Sequence, residues 1–175
     1  MRRTQKSAAV LAATLLTVLS GSGMGAQQPT TVKRPAKSTA ARHVMVTPGD
    51  LKWGPGPAGL PPGAQAAVLD GDPGKPGLFT IRAKFPDGYR VPPHTHPTDE
   101  HVTVVSGTLK AGMGAKWDDA AMQALSAGSY AKMVKGINHY VIAQGETIVQ
   151  ITAMGPFAIT YADPKDDPRK KSDAN

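Results

Sequence analysis

Apolar and polar residues alternate along several short stretches of this chain. Over residues 79–85, Phe, Ile, Ala and Phe alternate with Thr, Arg and Lys. Successive side chains of a β-strand point to opposite faces of the sheet, so this period of two predicts a strand with one buried face. We expect further strands at residues 64–69, 101–105, 108–112, 130–134, 139–143, 147–154 and 157–161.

Turn-forming residues separate these stretches. The 175 residues include 19 Gly and 16 Pro, which favours short strands and turns over long helices. Ser106-Gly107 lies between two strand stretches and predicts a β-hairpin. Asp118 and Asp119 are adjacent carboxylates, but they precede a short helical pattern and are better explained as its capping residues than as an acid–base pair. One all-β domain, a sandwich or a barrel, is therefore predicted.

The two ends of the chain lack this alternation. Three basic residues among the first six precede an apolar run at 8–19 and small residues at 20–26, which is the layout of a secretory signal peptide. The run is short for a bilayer span, and a buried or membrane-associated helix is the alternative. We expect the following division: signal peptide 1–26, flexible linker 27–43, β-barrel 44–163 and disordered charged tail 164–175.

Charge and cysteine content narrow the class of protein. Removal of the three N-terminal cations lowers the formal charge from +7 to +4. The remaining basic residues are spread over the linker and the tail, so we expect no nucleic-acid partner. The chain has no cysteine, which excludes disulfides, thiolate metal ligands and a lipid-anchored cysteine. We therefore predict an exported protein, periplasmic or secreted, without a membrane anchor.

Residues 94–101 hold three of the five histidines together with a glutamate. His94 and His96 are two positions apart in a segment that neighbouring prolines keep extended, so both imidazoles should leave the same face. Glu100 has the parity of the valines that follow it and is expected to face the core, while His101 faces out. Imidazole nitrogens on one face, with a carboxylate, predict a site for a divalent metal.

The spacing of these residues resembles the two sequence motifs of the cupin superfamily. The first is Gly88, five residues, His94-x-His96, three residues, Glu100, six residues and Gly107. The second is Gly128, five residues, Val134-x-Gly136, two residues, His139, three residues and Ala143. Val134 and Ala143 depart from the usual Pro and Asn of the second motif, at positions that shape a turn and do not bind metal.

The resemblance covers about residues 51–161 and implies a single-domain jelly-roll β-barrel. It also implies that His94, His96, Glu100 and His139 bind one divalent ion, which could be iron, manganese, zinc, nickel, cobalt or copper. A one-residue bulge would exchange Glu100 for His101 as the ligand. Cupin barrels often pair through their sheets, which leaves a homodimer open.

The resemblance leaves two functions open. The first is an exported enzyme that acts on a small organic molecule at its metal, with an oxygen-dependent oxidation of dioxygenase type as the favoured reaction. The second is a non-catalytic sensor or accessory protein that binds a metal or ligand, because the segment from His96 also resembles the cupin domain of certain anti-sigma factors. Met133, Tyr140 and Trp53 are expected to line the pocket.

Overall fold

A computed structural model describes residues 43–171 of the chain, and this part contains nine β-strands. The strands are β1 (Gly54–Pro55), β2 (Gln65–Asp70), β3 (Gly77–Phe85), β4 (Arg90–Thr95), β5 (Glu100–Met113), β6 (Gln123–Ser126), β7 (Tyr130–Met133), β8 (His139–Gly155) and β9 (Thr160–Tyr161). The helical elements are 3-10 turns at Pro48–Asp50, Asp119–Ala121 and Pro164–Asp166, and a short helix, α1 (Pro168–Lys171). Among these described residues, no helix is both long enough and apolar enough to cross a membrane.

Strand β8 is the centre of an antiparallel sheet. It pairs with β5 along nearly its whole length. On its other side, its first residues pair with β4 and its later residues pair with β3. The sheet order is β1-β2-β3-β8-β4-β9, and β6 and β7 join through β5. The all-β architecture predicted from the alternating pattern is confirmed, as a sheet that curls around one core.

The core consists of the inward-facing residues of this curled sheet. Along β3, Phe79, Ile81, Ala83 and Phe85 are all buried, as their period of two predicts. They pack in one cluster with apolar residues of β4, β5, β7 and β8. The inner face of the sheet is therefore apolar along most of its length.

The hairpin predicted at Ser106-Gly107 is wrong. Strand β5 continues through this dipeptide and pairs with β8 on both sides of it, with shifts of register between Val104 and Thr108. Gly107 has a φ of 76°, which glycine adopts at no steric cost. It marks an irregularity within one strand. Strand β8 likewise runs unbroken through Gly145, where two separate strands were expected.

The predicted helical turn after Asp118 is a 3-10 turn, and the Asp118 side chain caps it by accepting a hydrogen bond from the Ala120 N–H at 2.9 Å. Other boundaries differ more. The strand expected at 157–161 is reduced to the two residues of β9.

Part of the predicted charged tail has regular structure. Residues 164–171 form the last 3-10 turn and α1, and the Arg169 guanidinium donates a hydrogen bond to the Ile159 carbonyl at 2.9 Å. This bond joins α1 to the segment before β9. The predicted signal peptide (1–26), the predicted linker except His43, and residues 172–175 lie outside the described residues.

Two glycines test the irregularity in β5. A Cβ added at Gly107 would meet the Glu146 carbonyl oxygen and lie 2.8 Å from Thr147 Cα, whereas nothing lies within 4 Å of a Cβ added at Gly145. Both glycines have φ values near +70°, so Gly107→Ala and Gly145→Ala share the cost of about 1–2 kcal/mol for a left-handed residue. Gly107→Ala should lose about 1–3 kcal/mol more from overpacking. Urea unfolding of the metal-free variants measures this difference, and equal losses would contradict the described contact.

Candidate metal centre

Three imidazoles and one carboxylate converge inside the curled sheet. His94 of β4 lies opposite His139 of β8 in the strand register. Glu100 is the first residue of β5. His96 follows β4, and its carbonyl accepts a hydrogen bond from the Gly136 N–H at 3.0 Å. The structure thus brings together all four residues that the sequence and the cupin resemblance single out.

All four side chains are withdrawn from solvent. His94 and His96 are each 4% exposed, Glu100 is 6% exposed and His139 is 2% exposed. His101 is exposed, and its Nδ1 lies 2.6 Å from the Tyr130 hydroxyl. The expected orientation, with Glu100 inward and His101 outward, is therefore confirmed, and no bulge exchanges the two.

Backbone carbonyls orient the three imidazoles. The Nδ1 atoms of His94, His96 and His139 lie 2.7, 2.8 and 3.3 Å from the carbonyl oxygens of Pro92, Ala158 and Ile137, respectively. A carbonyl oxygen can only accept, so each Nδ1 carries the proton and donates it. The lone pair of each neutral ring is then on Nε2, which is the arrangement that metal-binding histidines commonly have.

Thr98 and Asp99, which lie between His96 and Glu100 in the chain, have their hydrogen bonds elsewhere. The Thr98 hydroxyl donates to the Met154 carbonyl at 2.9 Å, and the Asp99 carboxylate accepts from the Lys135 N–H at 2.9 Å. Through this hydrogen bond, Asp99 connects the start of β5 to the loop between β7 and β8.

The donor atoms fit a bound cation. One potential ligand nitrogen from each of the three histidines lies within 4.8 Å of the others. Two nitrogens on one ion lie at most about 4.2 Å apart at bond lengths of roughly 2.0–2.1 Å, which is of the same order as the spacing in this cluster. Glu100 Oε2 lies 3.5 Å from His96 Nε2 and 3.6 Å from His139 Nε2. His96 Nε2 is buried without a hydrogen-bond partner, and a metal ion would satisfy it.

The protonation states also suit a metal. Burial, reinforced by His139 and His96, lowers the pKa of His94 to about 3. Burial likewise lowers the pKa of His96, although Glu100 opposes this shift. Burial raises the pKa of the Glu100 carboxyl, but its contact with His139 and the charge interactions with His96 and His94 outweigh burial and lower it. Neutral imidazoles beside a carboxylate are the forms that bind a divalent ion.

Phe157 supports the site and was missed by the sequence analysis. Its ring stacks on the His96 imidazole with the centroids 4.3 Å apart and the planes 15° from parallel. Phe79 meets the Phe157 ring edge-on at 5.3 Å. A strand was expected from Phe157 onward, but Phe157 lies in the irregular segment before β9, and alternation along a strand does not show which ring a residue packs against.

A cavity of about 240 Å³ opens beside the four side chains. Met133 lines it, as expected, but Tyr140 and Trp53 do not. Tyr140 follows the inward-facing His139 and so points to the other face of β8. There its ring packs against the Trp117 ring, with the ring centroids 4.9 Å apart. Trp53 lies under the Lys84 ammonium, 4.7 Å from the ring centre.

Three solved structures define the class of this fold. The chain is 15% identical to the polyketide cyclase RemF from Streptomyces resistomycificus, with a TM-score of 0.57 over 75% of this chain and 94% of that one. It is 19% identical to a putative acetylacetone dioxygenase from Methylibium petroleiphilum PM1, with a TM-score of 0.55 over 73% and 86% of the two chains. It is 16% identical to an RmlC-like cupin from Shewanella frigidimarina NCIMB 400, with a TM-score of 0.50 over 65% and 91%. These likenesses show that the described part of the chain has a cupin fold.

The sequence defines its family more closely. Residues 61–163 match the model described as a domain of unknown function, DUF4437, and the chain belongs to this family. No curated protein matches the chain. The solved structures support the cupin fold and give no support to the narrower resemblance to anti-sigma factors.

The buried carboxylate should be needed for tight metal binding. Glu100→Gln keeps the shape of the side chain and removes its charge, so the affinity for a divalent ion should fall by more than the roughly 10–100-fold that loss of an outer-sphere partner costs. Asp99→Asn is the matched control, because it removes the adjacent charge and keeps an oxygen for the Lys135 N–H. Competition with a chromophoric chelator measures both affinities. Equal losses in the two variants would rule out Glu100 as a ligand.

Proposed function

We propose that this protein is a metal-dependent oxidoreductase of dioxygenase type that acts on a small organic molecule. His94, His96, Glu100 and His139 would hold one divalent metal ion. The observation that carries the proposal is the convergence of their donor atoms at an apolar cavity large enough for a small substrate.

The ligand set limits the ion and its role. Three neutral imidazoles and one carboxylate suit iron, manganese, zinc, nickel, cobalt or copper. A bound ion of this kind would supply a Lewis acid and, at five- or six-coordination, positions open to a substrate or dioxygen. Glu100 would cancel one of its two positive charges. The carbonyl bonds of the histidines would keep their Nε2 atoms aimed at it.

The cavity walls favour oxidation over hydrolysis. Among the described residues that line the cavity, the ionisable side chains are the four proposed ligands and Arg169 at the rim. A hydrolase or isomerase commonly uses a further side chain as general base or acid. Apolar walls of this kind also exclude water, which protects reactive species from side reactions.

We further propose that the protein works after export. The basic, apolar and small-residue segments of residues 1–26 support this part of the proposal.

Metal content tests the site. The full chain, purified without added metal, should contain about one equivalent of a divalent ion, and His94→Ala and His139→Ala should each lose it, because each removes a nitrogen ligand. His101→Ala is the control, because it removes an exposed histidine of the same cluster. Elemental analysis by mass spectrometry gives the ratio of metal to protein. Retention of metal in the two ligand variants would refute the assignment.

Nitric oxide tests whether the centre can take up a diatomic gas. The Fe(II)-loaded protein should bind nitric oxide, a probe for dioxygen, and give the electron paramagnetic resonance signal of an iron–nitrosyl centre. Iron-loaded protein that gives no such signal would have a closed coordination shell. That result would exclude the proposed dioxygenase-type activity and leave a sensor or a structural metal site.

A further inference from the structure

The walls of the cavity are uniformly apolar away from the metal centre. Apart from the four proposed ligands and Arg169, every described lining residue is an apolar residue or glycine. The strands contribute Val91, Val102, Leu109, Met133, Val141 and Ile151 to these walls. A polar or charged group placed against them would lose its water and gain no hydrogen bond.

Three backbone carbonyls of residues that line the cavity already accept hydrogen bonds. The Ala158 carbonyl accepts the hydrogen bond from His96 at 2.8 Å, and the Ile159 carbonyl accepts one from Arg169 at 2.9 Å. The Gly59 carbonyl accepts from the Tyr161 hydroxyl at 2.7 Å. A ligand that relied on these three carbonyls would have to break a hydrogen bond of the fold.

Arg169 is the one lining residue with a positive charge among those described, and its charge is balanced. Its Nε donates to Asp167 Oδ1 at 2.7 Å, and its Nη2 donates to Asp167 Oδ2 at 2.8 Å. This two-point contact makes the pair neutral at the rim. A carboxylate on a ligand would have to compete with Asp167 for the guanidinium.

Apart from the balanced Arg169, the polar side chains that line this small cavity are thus the four proposed metal ligands. Its volume of about 240 Å³ lies below the roughly 300–1,000 Å³ of pockets for drug-sized ligands. We infer that the substrate is a small, uncharged and largely apolar molecule with two adjacent oxygen atoms at one end. The oxygen pair would chelate the ion, and the apolar part would fill the space between the strands. This inference rests on the proposed metal-dependent function.

Two catechols test whether the cavity prefers an uncharged ligand to an anion. 4-Methylcatechol and 3,4-dihydroxybenzoate offer the same oxygen pair and differ by a methyl group in place of a carboxylate. Calorimetric titration of the Zn(II)-loaded protein, which avoids oxidation of the probes, gives both dissociation constants. The methyl compound should bind at least about tenfold more tightly, since the apolar wall leaves the carboxylate desolvated and unpaired. Equal or tighter binding of the carboxylate would overturn the inference, and so would failure of both catechols to bind zinc-loaded protein.

A pair of variants tests whether Arg169 attracts an anionic ligand. The double variant Asp167→Asn/Arg169→Gln removes both charges of the pair, whereas Lys170→Gln removes a charge from the next residue, which does not line the cavity. Both variants should keep the preference for 4-methylcatechol within about twofold, because Asp167 already balances Arg169. A selective loss of 3,4-dihydroxybenzoate binding in the double variant would show that Arg169 recruits an anion, against the inference.

An experiment on the metal-free protein distinguishes failure of the proposed function from failure of the inferred substrate class. Fluorine NMR of the protein without metal should detect binding of 4-fluorotoluene and at least about tenfold weaker binding of 4-fluorobenzoate, for the same desolvation reason. Protein that takes up no metal but keeps this preference would refute the proposed function and the chelating oxygen pair, and would leave only the apolar class of ligand. Metal uptake with no preference between the two compounds would refute the substrate class alone.

Discussion

Strand β8 pairs with three strands, and the site depends on the register of those pairs. His139 lies opposite His94 of β4 on one side and opposite Met113 of β5 on the other. A slip of one residue would turn His139 outward and bring Tyr140 in. Tyr140 opposes such a slip, because it is fully buried on the other face against Gly112, whose missing side chain leaves room for the ring. The inward histidine and the outward tyrosine therefore fix each other's position.

The sequence predicts well what is local to a strand. The positions of His94, His96 and Glu100 follow from alternation and from the prolines around them, and their burial agrees. Ser106-Gly107 was misassigned because turn chemistry is read from neighbours in the chain, whereas the continuous pairing with β8 is a tertiary contact. The presence of a strand was predictable, but the unbroken course of β5 and β8 was not.

The unpredicted parts of the site come from irregular segments. Ala158, whose carbonyl orients His96, lies 62 residues away in sequence, and Phe157 stacks on the same ring. Both residues lie in a stretch where a strand was expected, but a strand pattern describes only which face of a sheet a residue occupies and not which distant residue it contacts. Arg169 was assigned to a solvated tail because its neighbours are charged, yet its contact with the Ile159 carbonyl brings it to the rim. Such residues are placed by the folded chain and not by their own sequence neighbourhood.

Residues of the hydrophobic core also line the cavity. The proposed metal binding would therefore contribute to the stability of the fold. Three imidazoles and a carboxylate are buried together, and burial of a carboxylate without a cation bound to it is costly for the folded state. A metal that binds the folded chain alone would offset this cost by about 2.7 kcal/mol at a hundredfold excess over its dissociation constant. Against a typical total stability of roughly 5–15 kcal/mol, that is a substantial share. The apolar walls would strengthen this dependence, because they hold back the water that would otherwise solvate the four side chains, and a bound metal would then be the group that makes their burial favourable.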